Sequence, residues 1–305
     1  MCVVERRSWV EAARPRTLPA AVVPVWVGSA IAQADGVFDW RAFALALLGA
    51  LGIQVAANFA NDVSDANRGA DTEDRVGPRR MVAGGVITAR QMWSATWASV
   101  AVAAACGIGL AVLAGPLVLF IGLASIVAML GYVGGPFPYG YRGLGELFVF
   151  VFFGLVATIG SRFVHDASAP QVAWILAVPV GLLATAILVV NNLRDRDTDA
   201  RVGKRTLVVI IGSESGTCLF ALLIVGAFLI VTGAAVAKVL SVWSLLVWLA
   251  APLAYRLEVA VLRARNPVQL GPALGQTARL HLLFGALVAL GTILGGSGSL
   301  SLQVS

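Results

Sequence analysis

Apolar residues run along this chain in blocks long enough to cross a bilayer, and short polar stretches separate them. The blocks recur about nine times, at roughly 17–34, 42–63, 91–113, 116–134, 145–163, 171–193, 216–237, 240–256 and 280–298. Hydrocarbon offers backbone groups no water to bond to, so each block is expected to be a helix. The pattern predicts an all-α, polytopic membrane protein: a bundle of nine transmembrane helices, read as one unit over residues 1–305 because no linker, low-complexity tract or shift in composition divides it. Residues 1–16 are basic, and Pro19 and Pro24 interrupt the apolar block after them, so the start does not read as a cleaved signal peptide.

Composition agrees, with 59% hydrophobic and only 12% charged residues and a mean hydropathy of +0.87. Of the 22 lysines and arginines, Arg41, Arg162 and Lys238 fall on one side of the predicted topology and all the others on the opposite side. The excess of positive charge marks the cytoplasmic side. The expectation is therefore a multi-pass protein of the cell membrane with its N-terminus and polar blocks in the cytoplasm and its C-terminus outside. The net charge of +6 then reflects topology and an anionic ligand. Nucleic acid is not indicated, because the basic residues lie in short loops without interleaved stacking aromatics. Cys2, Cys106 and Cys218 are too scattered for a disulfide framework or a zinc site. His165, in a predicted outer loop, and His281, opening the last block, read as ordinary interface residues.

Two polar blocks break the apolar pattern. In the first, from Asn58 to Arg80, the residues Asn58, Asn61, Asp62 and Asp65 fall at i, i+3, i+4 and i+7 if the preceding helix continues, which puts them on one face. In the second, from Asn191 to Thr206, Asn191, Asp195 and Asp199 form a similar stripe at i, i+4 and i+8. Ionisable groups at the edge of a span are costly and usually functional. Asp71 and Asp74 stand in a loop rich in glycine, where solvent can hold them as readily as a site. Arginines follow both stripes, with Lys204 after the second. Carboxylates and amides on two helices, ringed by cations, suit Mg2+ and a diphosphate.

Two further stretches add candidates. Arg14 and Arg16 precede the proline-broken first span, either as anchors at the membrane surface or with Arg16 aimed at the diphosphate. The loop G-Y-V-G-G-P-F-P-Y-G-Y-R-G-L-G-E, Gly131 to Glu146, carries tyrosines that suit an interfacial belt, and Tyr139 with Arg142 suits a place beside the diphosphate. Phe148, Phe150, Phe152 and Phe153 are expected to face lipid by default, with a tunnel lining as the alternative.

The motifs N-D-x-x-D-x-x-x-G from Asn61, R-x-G-P-x-R from Arg75 and D-x-x-x-D-x-x-x-G-K-R-T from Asp195 resemble the UbiA superfamily of intramembrane prenyltransferases. The A-R-P-R-T-L-P start at Ala13, the loop from Gly134 to Glu146 and N-N-x-R-D at Asn191 look like its naphthoate branch. Benzoate-type relatives commonly carry a further Asp where this chain has Gly69, which leaves open whether Asp71 or Asp74 supplies that carboxylate. The resemblance implies nine helices around a central cavity, with both motifs at its cytoplasmic end. It implies that Asn61, Asp62, Asp65, Asp195 and Asp199 hold Mg2+ against the diphosphate of a polyprenyl donor, the four aspartates being the catalytic set. Arg16, Arg68, Arg79, Arg80, Lys204 and Arg205 would be its phosphate partners, with Arg142 and Tyr139 supplementary and Asn58 and Asn191 possible additions. The acceptor implied is 1,4-dihydroxy-2-naphthoate, prenylated with loss of carbon dioxide to give a demethylmenaquinone. Other acceptors of the superfamily (4-hydroxybenzoate, homogentisate, a phosphosugar, a lipid glycerol) are the nearest alternative. An ion-coupled transporter is the alternative from another class.

Overall fold

Both acid-and-amide stripes are carried on helices that outrun the apolar blocks leading into them. In the computed structural model, which describes residues 5–69 and 80–296, the main helices are α1 Arg6–Ala13, α2 Pro19–Ala34, α3 Trp40–Asn67, α4 Ala89–Ala114, α5 Leu117–Val133, α6 Gly145–Asp166, α7 Gln171–Arg201, α8 Ser213–Val236, α9 Val242–Arg263 and α10 Ala273–Gly295. α3 has 28 residues and α7 has 31. At about 1.5 Å per residue they are roughly 42 and 46 Å long, against a hydrocarbon core of about 30 Å. The last turns of each, which carry the acids, therefore reach the membrane boundary while remaining helical.

Each of the nine apolar blocks folds as a helix. Among the described residues, seven helices are long and apolar enough to cross a membrane, and an eighth span results if α1 and α2, bent by 54° at their junction, count as one. α5, at 17 residues, is shorter, so the expected ninth span depends on it. Large apolar side chains of α4 and α5 are exposed, among them Trp97, Ile108, Val112, Phe120 and Leu123, as lipid-facing helices require. The chain is an integral membrane protein.

Two boundaries depart from the sequence pattern. α10 begins at Ala273, because Leu274, Thr277 and Ala278 already bury one face of it. His281 is consequently not at the mouth of a span: it is fully buried, and neither ring nitrogen has a hydrogen-bond partner among the described residues. α9 continues to Arg263, so Glu258 lies inside a helix and not in a polar connection.

α7 is the central helix, with α2, α8 and α10 packed around it in one apolar core. Small residues let backbones meet: a Cβ at Gly154 of α6 would fall 2.5 Å from the Gly181 Cα of α7. Phe150–Val156 of α6 forms a π-helical segment, a distortion that re-aims side chains. Here Phe148, Phe152 and Phe153 line an internal cavity, while Phe150 packs on Gly181, so lipid-facing is the wrong reading for these phenylalanines. α1 lies against the polar end of α3. Its Trp9 and Ala12 pack with Phe59, Val63, Met81 and Ile87, and Trp9 meets Phe59 edge-on at 5.9 Å. Arg14, with φ of 51°, then turns the chain into α2.

At the opposite pole the charges pair off. Arg162 reaches Asp35 at 2.7 Å and Asp166 at 2.5 Å. His165 accepts from the Asp39 backbone N–H through Nδ1 at 3.0 Å, and its Nε2 lies 3.1 Å from the Ser29 hydroxyl.

Candidate functional site

A cavity of about 350 Å³ runs down the inside of the bundle. α3 lines it with Ala46, Gly49, Ala50, Ile53, Gln54, Ala57, Asn58, Asn61 and Asp65, one helical face. From Ala46 to Asp65 the rise is roughly 28 Å, close to the whole apolar thickness. The wall is apolar at the far end, with Leu110, Val118, Phe163 and Val164, and polar at the near end, where Arg14, Arg80, Asn191, Asn192 and Lys204 join the α3 residues.

The two polar blocks meet at this near end, and Tyr141 joins them. Its hydroxyl donates to Asp65 Oδ1 at 2.7 Å, and its carbonyl accepts from the Arg205 N–H at 3.1 Å. Arg68 of the first block and Lys204 of the second lie over its ring, 5.2 and 5.4 Å from the centroid. Burial, together with the Asp65 and Asp199 carboxylates nearby, raises the Tyr141 phenol above its ordinary range, so it stays a donor at any physiological pH. Asp65 Oδ2 takes Arg80 Nη2 at 2.6 Å, both side chains being almost fully buried. Asp199 Oδ1 lies 3.4 Å from Lys204 Nζ.

Not every expected residue reaches the cavity. Asn58, Asn61 and Asp65 do, but Asp62, a further 100° round the helix from Asn61, turns aside. Its carboxylate accepts from the backbone N–H groups of Val82 and Met81, at 2.9 and 3.3 Å. Asn58 also ties down the α1–α2 junction, donating to the Ala13 carbonyl at 2.8 Å and Thr17 Oγ1 at 3.0 Å. Asp195 forms a two-point pair with its neighbour Arg194, at 2.8 and 2.7 Å, and Arg194 also donates to Asn191 Oδ1 at 2.9 Å. Tyr139 lines the cavity with its ring, stacked on Phe148 at 3.9 Å, while its hydroxyl donates to the Ala128 carbonyl. Arg142 is exposed over the Phe137 ring, and Arg16 and Arg205 are exposed as well. Asp71, Asp74 and Arg79 lie outside the described residues.

Residues 21–288 match the UbiA prenyltransferase family. The chain belongs to that family. It is 38% identical to 1,4-dihydroxy-2-naphthoate octaprenyltransferase of Escherichia coli, over 94% of this chain and 96% of that protein. It is 39% identical to the Mycobacterium tuberculosis protein of the same name, over 92% and 95%. UbiA prenyltransferase domain-containing protein 1 of the mouse is 30% identical, over 96% and 86%. Among solved structures, a UbiA homolog from Aeropyrum pernix superposes with a TM-score of 0.66 at 15% identity, covering 90% of this chain and 97% of that one. A UbiA homolog from Archaeoglobus fulgidus bound to GPP and Mg2+ superposes with a TM-score of 0.64 at 14% identity, covering 92% and 99%. These likenesses establish the UbiA fold.

The side chains present fit a hard cation. Among the described residues Asn61 Oδ1, buried in the cavity wall one helical turn from the Asp65 carboxylate, has no hydrogen-bond partner. An unspent oxygen beside a carboxylate is the donor chemistry Mg2+ takes, with phosphate oxygens and water completing its shell. Among the described residues no three His, Cys, Asp or Glu side chains gather as a protein-only metal cage.

Sequence reasoning passed over several residues of this UbiA site. Tyr141 stands two positions after the tyrosine singled out, and only the turn at Tyr139–Tyr141 decides which phenol meets Asp65. Arg14, not Arg16, lines the cavity, because the left-handed backbone at Arg14 re-aims the chain. Arg194 was hidden by adjacency, since neighbours on a helix do not normally face one another.

Proposed function

We propose that this chain transfers the polyprenyl group of a polyprenyl diphosphate to 1,4-dihydroxy-2-naphthoate, at the cytoplasmic face of the cell membrane, releasing diphosphate and carbon dioxide. One observation carries the donor half: an acidic, cation-ringed head joined to an apolar cavity about as long as the bilayer is thick. The acceptor half rests on relatives of that name at 38 and 39% identity over nearly the whole chain.

In this reading Asn61 and Asp65 of α3 and Asp195 and Asp199 of α7 would hold Mg2+; the A. fulgidus homolog of the same fold is bound to GPP and Mg2+. The cation, when bound, stabilises the negative charge that grows on departing diphosphate. Arg80 and Lys204 line the same head and already bond carboxylates, so each can pass to a diphosphate oxygen of like charge. Arg14 adds a third cation to the wall, with Arg68 and Arg205 flanking from the surface. Asp62 fixes the turn that presents Arg80; serving as a metal ligand requires it to exchange its two backbone bonds. Tyr141 orients Asp65. The apolar wall excludes water that would quench an allylic cation.

The chemistry balances without a protein nucleophile. The C–O bond to diphosphate breaks with its electron pair leaving on diphosphate, and the ring carbon that bears the carboxylate bonds C1 of the prenyl chain. The ring carboxylate departs as carbon dioxide and leaves its bonding pair to restore aromaticity. The immediate product is therefore the quinol form of the demethylmenaquinone.

The test is an assay in nanodiscs with 1,4-dihydroxy-2-naphthoate, a polyprenyl diphosphate and Mg2+. Prenylated product and carbon dioxide are expected in equal amounts, abolished by EDTA and restored by Mg2+. Donor binding without product from this acceptor, but with product from 4-hydroxybenzoate or homogentisate, would move the assignment within the family.

A further inference from the structure

One polar pair beside the cavity is used by nothing described above. Asn192 of α7 is 3% exposed and Glu146, at the start of α6, is 5% exposed. Asn192 Nδ2 donates to Glu146 Oε1 at 2.9 Å. The amide nitrogen thus faces Glu146, which leaves Oδ1 for the cavity that Asn192 lines. The second carboxylate oxygen, Glu146 Oε2, is buried without a partner among the described residues. The open position that faces the cavity is thus the Asn192 carbonyl oxygen, which can only accept. Its missing complement is a donor.

The surroundings narrow what that donor belongs to. Asn192 stands on α7 one turn deeper than Asp195, about 5 Å below the proposed diphosphate head. Chemistry at the first carbon of a prenyl chain must occur at that depth. An aromatic wall adjoins it: Tyr139 stacks on Phe148 at 3.9 Å, and Tyr132 meets Tyr139 edge-on at 5.4 Å. A Cβ at Gly145, next to Glu146, would lie 3.3 Å from both the Tyr132 hydroxyl and Leu188 Cδ2, so wall and pair are neighbours. A flat ring fits the wall and a hydroxyl fits the pair.

We infer that Asn192 accepts a hydrogen bond from a ring hydroxyl of the aromatic acceptor, and that Glu146 is the positioning residue that keeps its carbonyl turned inward. The inference rests on the acceptor being a hydroxylated naphthoate. Drawing on the O–H bond also enriches the ring in electrons, which favours attack on the allylic carbon.

The experiment pairs protein and substrate deletions in nanodiscs. KM values are measured for 1,4-dihydroxy-2-naphthoate and for the prenyl diphosphate, and inhibition constants for 2-naphthoate, 1-hydroxy-2-naphthoate and 4-hydroxy-2-naphthoate. In the wild type, one of the two hydroxyls should tighten binding about tenfold over 2-naphthoate. In Asn192→Leu that gain should vanish, the KM for the dihydroxy acceptor should rise about tenfold, and the donor KM should stay within about twofold. Glu146→Leu should behave alike, and Glu146→Gln should restore most of the loss, since Gln Oε1 still accepts from Asn192. Asn192→Ala replaces the leucine variant if that one does not fold. Equal weakening of all three naphthoates, or a parallel rise in donor KM, would reduce the pair to a helix tether and overturn the inference. A wild type that forms no product from the dihydroxy acceptor and is inhibited by none of the naphthoates would overturn the acceptor assignment itself, and the inference with it.

Discussion

The two poles of this bundle are built from the same side chains and end in opposite states. At one, Arg162 is enclosed by Asp35 and Asp166, and both nitrogens of His165 are engaged. At the other, Arg80 and Tyr141 occupy Asp65, yet the neighbouring Asn61 oxygen, which lines a cavity, has no partner among the described residues. Charge at the edge of a span does not by itself mark function. The closed pole uses its charges to fasten α2 to α6, whereas in the proposed reading the open pole presents acceptors to a ligand.

That contrast can be broken most severely at Asp65. Asp65→Asn keeps an oxygen for the Tyr141 hydroxyl but removes the charge, and turnover per folded molecule should fall roughly 10²–10³-fold; the buried Arg80 loses that counter-charge, so the melting temperature should fall as well. Full activity would end the assignment of this pole. The mirror experiment is Arg162→Leu, which should lower stability by about 2 kcal/mol while turnover per folded molecule stays within about twofold. That figure is set below the fully buried case because Asp35 and Asp166 reach water. Thermal unfolding in detergent, run beside the assay, separates the two effects.

Tyr141→Phe sharpens the comparison further. Losing one hydrogen bond to a carboxylate should cost about tenfold in turnover and leave acceptor KM unchanged. Because the phenol's pKa is raised, the wild-type rate should show no step attributable to Tyr141 between pH 7 and 10. The smallest effect belongs to Asp39 at the closed pole. Arg41 holds its carboxyl at about 2, below the ordinary 3.8. Its contribution is therefore complete above pH 3.8 and fades only as pH falls toward 2. Melting temperatures of the wild type and Asp39→Asn should keep a constant offset from pH 7 down to about 4.5.

Much of the architecture was legible in the sequence because bilayer thickness imposes a length on each apolar block, and every block did become a helix. Span ends were less legible. α10 starts at Ala273 because its buried face continues through Leu274, Thr277 and Ala278, although the neighbouring Gln276 and Arg279 lower the hydropathy there. The acid stripes were readable from spacing, since helical period alone puts Asn58, Asn61 and Asp65 together. Spacing did not exclude Asp62, whose fate depends on two backbone N–H groups brought in by a loop. Nor did it reveal Tyr141 or the Asn192–Glu146 pair, which depend on contacts between helices 46 to 76 residues apart in sequence.

The most direct test of the contrast between the poles is calorimetric titration of a non-reactive prenyl thiodiphosphate into nanodisc-embedded protein, with and without Mg2+. Binding should require Mg2+ in the wild type, persist at wild-type strength in Arg162→Leu and weaken at least tenfold in Asp65→Asn. Equal binding by Asp65→Asn, or wild-type binding indifferent to the metal, would contradict the assignment of the open pole as the diphosphate site.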